Sequence, residues 1–175
     1  MAKWLGLDYG TRRIGVAVGD TRNGIAGPLA MVPATCEQEV FAALADIATS
    51  QGVEGIVVGW PLNMDDTEGP QGKLTRKFAA RLAANSGLDV RMWDERLTSF
   101  AADQVLAGLF TRKKKKERQD AVAAATILQD FFAADGHLGA PTPDELGDLS
   151  EPDETSKKGE TSEKGKTKRY PDRGE

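Results

Sequence analysis

The chain has 175 residues, 39% of them hydrophobic and 29% charged, with a formal net charge of −4; that is enough for one sizeable core and a tail. No run approaches the roughly 18 apolar residues of a membrane span, and no early apolar stretch has the flanks of a signal peptide, so no membrane partner and a cytoplasmic location are expected. A single cysteine, Cys36, excludes an intrachain disulfide and a thiolate metal cluster.

Charge has to be read by segment. From Ala140 onward large aliphatic residues nearly vanish, and such a stretch cannot bury enough apolar surface to offset its ordering entropy. A folded domain over 1–139 and a disordered polar tail over 140–175 are therefore expected. The tail carries 10 acids and 7 bases, leaving 17 of the 27 acids and 16 of the 23 bases to the domain. The domain is thus nearly neutral, and only local clustering can speak for or against a nucleic-acid partner.

In chain order, Lys3 to Asp8 reads as a strand, and Ile14 to Val18 as a second, joined by the tight turn Gly10-Thr11-Arg12-Arg13 into an antiparallel hairpin. Leu29 to Val32 follows as a third strand after Gly19, Gly24 and Gly27. Thr35-Cys36-Glu37-Gln38 reads as a capping box. The helix behind it carries Val40, Phe41, Leu44, Ile47 and Ala48 on one face and stops at Gly52. The continuous apolar run Gly55 to Gly59 predicts a strand covered on both sides. The polar loop WPLNMDDTEGPQG leads to a helix marked by Leu74, Phe78 and Leu82 that ends at Gly87. Asp89 to Trp93 is a fifth strand ending in Asp94-Glu95-Arg96. Ser99 can cap a helix with Val105, Leu106, Leu109 and Phe110 inward. The basic run Thr111 to Lys116 separates it from a last helix, Glu117 to about Ala134. No internal repeat is present.

This order predicts an α/β fold with a five-stranded mixed sheet, three strands antiparallel and two parallel, and helices on both faces. Ligands of such sheets bind beyond the carboxyl ends of the parallel strands. Asp8 and the pair Asp94-Glu95 are delivered to that edge. Asp120 heads the inward stripe Asp120, Ala124, Ile127, Leu128, Phe131 of the last helix and joins them. Singly, each acid has an ordinary structural explanation; for Asp120 it is the helix dipole. Together they repel, and something positive should hold them. Hard divalent cations with oxygen ligands do so, and a pair of ions about 3.5–4 Å apart is the arrangement for in-line attack on a phosphodiester. Magnesium or manganese is the expected cofactor, in a two-metal site. His137, at the tail boundary, offers no general base.

Basic residues near these acids suit a phosphate-rich substrate: Arg12 and Arg13 beside Asp8, Arg96 after Glu95, and Lys113, Lys114, Lys115 and Lys116 before Asp120. Lysine runs are usually solvated loops, and only position singles this one out. Trp60 could stack on an unpaired base, although covering the core is the commoner employment of such a residue. Asn63, Asp65 and Thr67 are candidate substrate contacts that a capped turn explains equally well.

The blocks LGLDYGTRRIGVAVGD, IVVGWPLNMDDTEGPQG, MWDERLTSFAA and KKKKERQDAVAAATILQDF resemble, in order and spacing, the signature blocks of the YqgF family, also called RuvX. The resemblance covers about Lys3 to Phe132. It implies a ribonuclease-H-like fold and a bacterial cytoplasmic protein, with Asp8, Glu95 and Asp120 as the metal-binding acids. It further implies a nuclease, either trimming the 5′ end of pre-16S ribosomal RNA, the favoured substrate, or resolving Holliday junctions in DNA. Two departures from the family pattern stand out: Asp66 replaces the usual glycine, and Ser99 the usual threonine. Alternation puts Asp94 and Glu95 on opposite faces of the strand, and Glu95 is preferred for its reach.

A reading of another class rests on Asp8 to Gly15 alone, since D-x-G-T-x-x-x-x-G also resembles the phosphate hairpin of actin- and Hsp70-type ATPases. Those need two such domains, and this chain has room for one. The third reading is a binding module in which the acids serve folding or a protein partner. A monomer or a homodimer is compatible with the sequence, in which no exposed apolar stripe argues for a dimer.

Overall fold

The computed structural model describes residues 2–97 and 112–147, with the backbone alone over 112–118. Five strands, β1 (Lys3–Tyr9), β2 (Arg13–Asp20), β3 (Ile25–Pro33), β4 (Gly55–Trp60) and β5 (Asp89–Asp94), form one sheet in the order β3-β2-β1-β4-β5. β1–β2 and β2–β3 pair antiparallel, β1–β4 and β4–β5 parallel. The mixed sheet is the one expected. β3 is longer than its Leu29–Val32 nucleus, and it lies at an edge, where the missing N–H of Pro28 and Pro33 is tolerated.

Helices α1 (Glu37–Gln51) and α2 (Pro70–Ser86) cover one face, and α3 (Arg112–Ala133) the other. Alternation along β1 sorts its residues between them. Leu5 and Leu7 join Val40, Leu44, Phe78 and Leu82 on the first face, and Trp4 meets Phe131 on the second. Against the sheet α3 buries Ile127, Leu128, Phe131 and Phe132, each contributing about 1.5–3 kcal/mol. That anchoring fixes the helix whatever the preference of its lysine-rich start.

Several local expectations are corrected. The capping box does not form: Cys36 occupies the cap position without a side-chain bond, and Thr35 Oγ1 donates to Glu39 instead (2.9 Å). Gly52 does end α1 in the left-handed conformation (φ 63°). Pro70, assigned above to the loop, is the first residue of α2, where its missing N–H costs nothing. Leu74 is exposed, and Thr75 takes the inward place. The run Lys113–Lys116 belongs to α3 rather than to a connecting loop, as lysine and arginine are good helix formers. The helix expected behind Ser99, with Val105, Leu106, Leu109 and Phe110, lies outside the described residues.

Residues assigned by composition to the tail pack on the body as far as Gly147. Ala140 is buried, Met92 N donates to Pro141 O (2.8 Å), and Arg76 Nη1 donates to Gly147 O (2.9 Å). Short apolar residues and backbone hydrogen bonds hold this strap, which a count of large aliphatics overlooks. No helix among the described residues is long and apolar enough to cross a membrane.

Candidate active site

Asp8 is the last residue but one of β1 and lies opposite Gly15 of β2. Its face is shared by Trp4 and Gly6, so its side chain points toward α3. Gly6 and Gly15 have no side chains to hold that helix off. A methyl group on Gly6 would stand 2.7 Å from Ala124 O and 2.8 Å from Leu128 Cβ. On Gly15 it would run into the Asp120 carbonyl and come within 2.9 Å of Ala121 N. The glycine facing Asp8 across the hairpin is thus the seat of the Asp120 backbone.

A third glycine admits Glu95. β5 ends at Asp94, and Glu95 opens a 3-10 turn whose side chain lies over Gly59 of β4. A methyl group there would be 2.5 Å from Glu95 Oε1 and from Ile127 Cδ1. Glu95 reaches across β4 to Asp8, and the two carboxyl groups share a hydrogen bond. Asp94 turns away: Arg96 Nη2 donates to its Oδ2 (2.6 Å) and Arg96 N to its Oδ1 (3.0 Å), which holds its carboxyl below the usual range.

Burial first, and then the Asp120 charge, pushes the Asp8 carboxyl up to about 6; the bond from Glu95 works in the other direction. Burial, then the charge of Asp8, pushes Glu95 up to about 7, and the two carboxyls titrate as a pair. Asp120 faces Asp8 but is engaged by Arg13, whose Nε donates to its Oδ2. Asp8, Gly10, Thr11, Arg12, Arg13 and Asp120 line one cleft of about 200 Å3. Arg12, exposed in the turn, makes no ion pair among the described residues.

The basic and polar candidates are placed unevenly. Arg13 lies in the cleft on Asp120. Arg96 is committed to protein: besides Asp94 it donates from Nη1 to Asp66 Oδ1 (2.5 Å) and Asn63 O (3.1 Å). Asn63, Asp65 and Thr67 close a turn on themselves. Asn63 Nδ2 donates to Thr67 Oγ1 (2.9 Å), and Thr67 N and Oγ1 donate to Asp65 Oδ1 (3.1 and 2.5 Å). Asp66, at the family's glycine position, takes the left-handed conformation glycine would take (φ 67°). The side chains of Lys113–Lys116 lie outside the described residues. Trp60 covers the core and donates from Nε1 to Glu68 Oε1 (3.1 Å).

Two groups of residues escaped the sequence reading. The glycines at 6, 15 and 59 were visible only as small residues among strand residues, although glycine inside a strand does mark close approach. The other is an anchored ion pair. Arg76, 7% exposed, donates from Nε and Nη2 to Glu68 (2.8 and 3.0 Å) and ties the loop after β4 to α2.

The donors match a hard cation in kind, all being carboxylate oxygens. Assembly is incomplete: among the described residues no three Asp, Glu, His or Cys side chains are gathered for one ion, because Asp120 is turned onto Arg13. Once both are ionised, Asp8 and Glu95 suit such an ion in number and kind, within magnesium's habit of one or two direct carboxylates.

Residues 2–134 match the family model described as "RuvX: Holliday junction resolvase". Three proteins named "Putative pre-16S rRNA nuclease" are similar. That of Chloroflexus aggregans is 46% identical over 74% of this chain and 92% of its own. Those of Myxococcus xanthus and Rhodobacter capsulatus are each 43% identical, over 74% and 77% of this chain and 87% and 85% of theirs. Among solved structures, T. thermophilus RuvC in complex with Holliday junction substrate superposes with a TM-score of 0.53 at 16% identity, covering 81% of this chain and 99% of that one. This likeness extends to the ribonuclease-H-like fold alone. With the match running through β1 to the end of α3 and so through every acid of the cleft, the chain belongs to the RuvX family.

Proposed function

We propose that the protein is a metal-dependent nuclease that hydrolyses phosphodiester bonds in the cleft between Asp8, Glu95 and Asp120, acting on the 5′ end of pre-16S ribosomal RNA. The observation that carries this reading is the half-buried Asp8–Glu95 pair, whose Asp8 lines a cleft together with Arg12, Arg13 and Asp120. A fold that served only itself would not crowd carboxylates there, since each is held against its own desolvation cost. The names of the relatives favour ribosomal RNA as the substrate.

Bound divalent ions, magnesium or manganese, would be held by Asp8 and Glu95 with Asp120 as the third acid, supplying positive charge against the attacking and departing oxygens. The chain's own residues set the stage. Gly15 and Gly59 fix where Asp120 and Glu95 stand relative to Asp8. Arg12 and Arg13, in the turn beside Asp8, are placed to bind the phosphates flanking the scissile bond and to orient it over the carboxylates. Asp8 and Glu95 must give up their shared proton for both to serve as oxygen donors, so activity should rise with pH through the range near 6 to 7.

The test is cleavage of a 5′-extended ribosomal RNA precursor fragment and of a four-way DNA junction, with magnesium or manganese, by wild type and Asp8→Asn. RNA cleavage lost in Asp8→Asn supports the reading. The description of the matched family makes junction resolution the second reading, and cleavage of the junction alone would favour it. Cleavage indifferent to Asp8→Asn, or turnover of ATP with both nucleic acids intact, would overturn the nuclease.

A further inference from the structure

We propose that Arg13 is a positioning residue that couples phosphate binding to cation binding by handing Asp120 from one to the other. The inference rests on the nuclease reading of this cleft. Arg13 opens β2, and alternation puts it with Gly15 on the face that α3 covers, while Ile14 between them enters the opposite core. Its Nε donates to Asp120 Oδ2, and the two side chains are similarly shielded, at 23% and 25% exposed.

The backbone of residue 120 cannot move toward Asp8, because it already rests on Gly15, the residue directly opposite Asp8. Only the Asp120 side chain can turn. Its carboxylate, which lines the same cleft as Asp8, would then choose between the Arg13 guanidinium and a cation held by Asp8 and Glu95, since a guanidinium and a hard cation compete for the same oxygen.

Arg13 also lines the cleft where a phosphate would enter, beside Arg12. A phosphate offers the guanidinium a second charge-assisted partner. Each phosphate that draws Arg13 off Asp120 frees the carboxylate for the cation, and by linkage each cation that takes Asp120 frees Arg13 for phosphate. Substrate and metal then bind with positive cooperativity. Arg12, in the same turn but unpaired with an acid among the described residues, adds positive charge without this exchange.

The experiment measures Mn2+ affinity of the full chain by electron paramagnetic resonance of the free ion, with and without a short single-stranded DNA oligomer, against an oligomer-only blank. For wild type, saturating oligomer should tighten Mn2+ by about fivefold, the strength of a partly exposed ion pair. Arg13→Gln should bind Mn2+ about fivefold more tightly without oligomer and gain little from adding it. Arg12→Gln should bind the oligomer more weakly, as a lost phosphate contact requires, and once saturated should still tighten Mn2+ by a similar factor. Arg13→Lys, which keeps the charge and guards against a folding defect, should show a reduced response. The proposal is overturned if Arg13→Gln responds to oligomer like wild type, or if Arg12→Gln loses the response as Arg13→Gln does, which would mean a general charge effect. Asp8→Asn separates the two levels. Mn2+ binding unaffected by Asp8→Asn refutes the metal site itself. Binding that needs Asp8 but ignores Arg13 refutes the exchange alone.

Discussion

Replacing Asp8 with asparagine should stabilise the metal-free protein, and by an amount that depends on pH. The Asp8 carboxyl moves from an ordinary 3.8 to about 6 on folding, chiefly through burial. Holding it ionised in the folded chain therefore costs about 3 kcal/mol. Asp8 and Glu95 both bind protons more readily folded than unfolded. Over the window from about pH 4 to about pH 7 the folded state carries more protons, and stability is lost as pH rises through it. Asp8→Asn removes the Asp8 share of that loss and the charge that raises Glu95. Urea unfolding in the presence of EDTA should find Asp8→Asn more stable than wild type near pH 8 by about 3 kcal/mol from Asp8 itself, plus the relief of Glu95, the difference shrinking toward zero near pH 4. Magnesium added near pH 8 should stabilise wild type and leave Asp8→Asn unmoved. A difference that stays constant across this range would refute the buried, proton-sharing pair, because a change in packing alone carries no pH dependence.

Three further outcomes follow from the same geometry. Gly15→Ala should cost about 1–3 kcal/mol in urea unfolding, since the added methyl meets the backbone of α3 rather than a flexible side chain, and should weaken Mn2+ binding by shifting Asp120. Glu68→Ala leaves the Arg76 guanidinium buried without its carboxylate, and the thermal midpoint should fall by an amount matching roughly 3 kcal/mol. Asp66→Gly removes an ion pair whose acid is 83% exposed and relieves a left-handed aspartate, two small effects of opposite sign. Its stability should stay within about 1 kcal/mol of wild type, and a larger fall would show that Asp66 anchors the loop through Arg96.

The sequence alone determined the mixed sheet, with its three antiparallel strands followed by two parallel ones. Hydrophobic alternation, the continuous Gly55–Gly59 run and the 3.6-residue stripe of α3 are local patterns, and the rules of chain connection leave few ways to arrange them. It also brought Asp8, Glu95 and Asp120 to one sheet edge, since strand ends and a helix start are readable positions. Only the tertiary structure decided which partners those acids take there. Which of Asp94 and Glu95 turns inward depends on a glycine in the neighbouring strand and on an arginine two residues along, contacts between residues that no periodicity relates. Arg96 looked like a ligand for phosphate and is spent on Asp94, Asp66 and Asn63. Arg13 and Asp120 are 107 positions apart in the chain, and their pairing exists because the α3 backbone settles on the bare Cα of Gly15. Patterns within a segment record which face is buried. The partner of a charged side chain is fixed by close approach between segments, and close approach is set by the side chains that are missing.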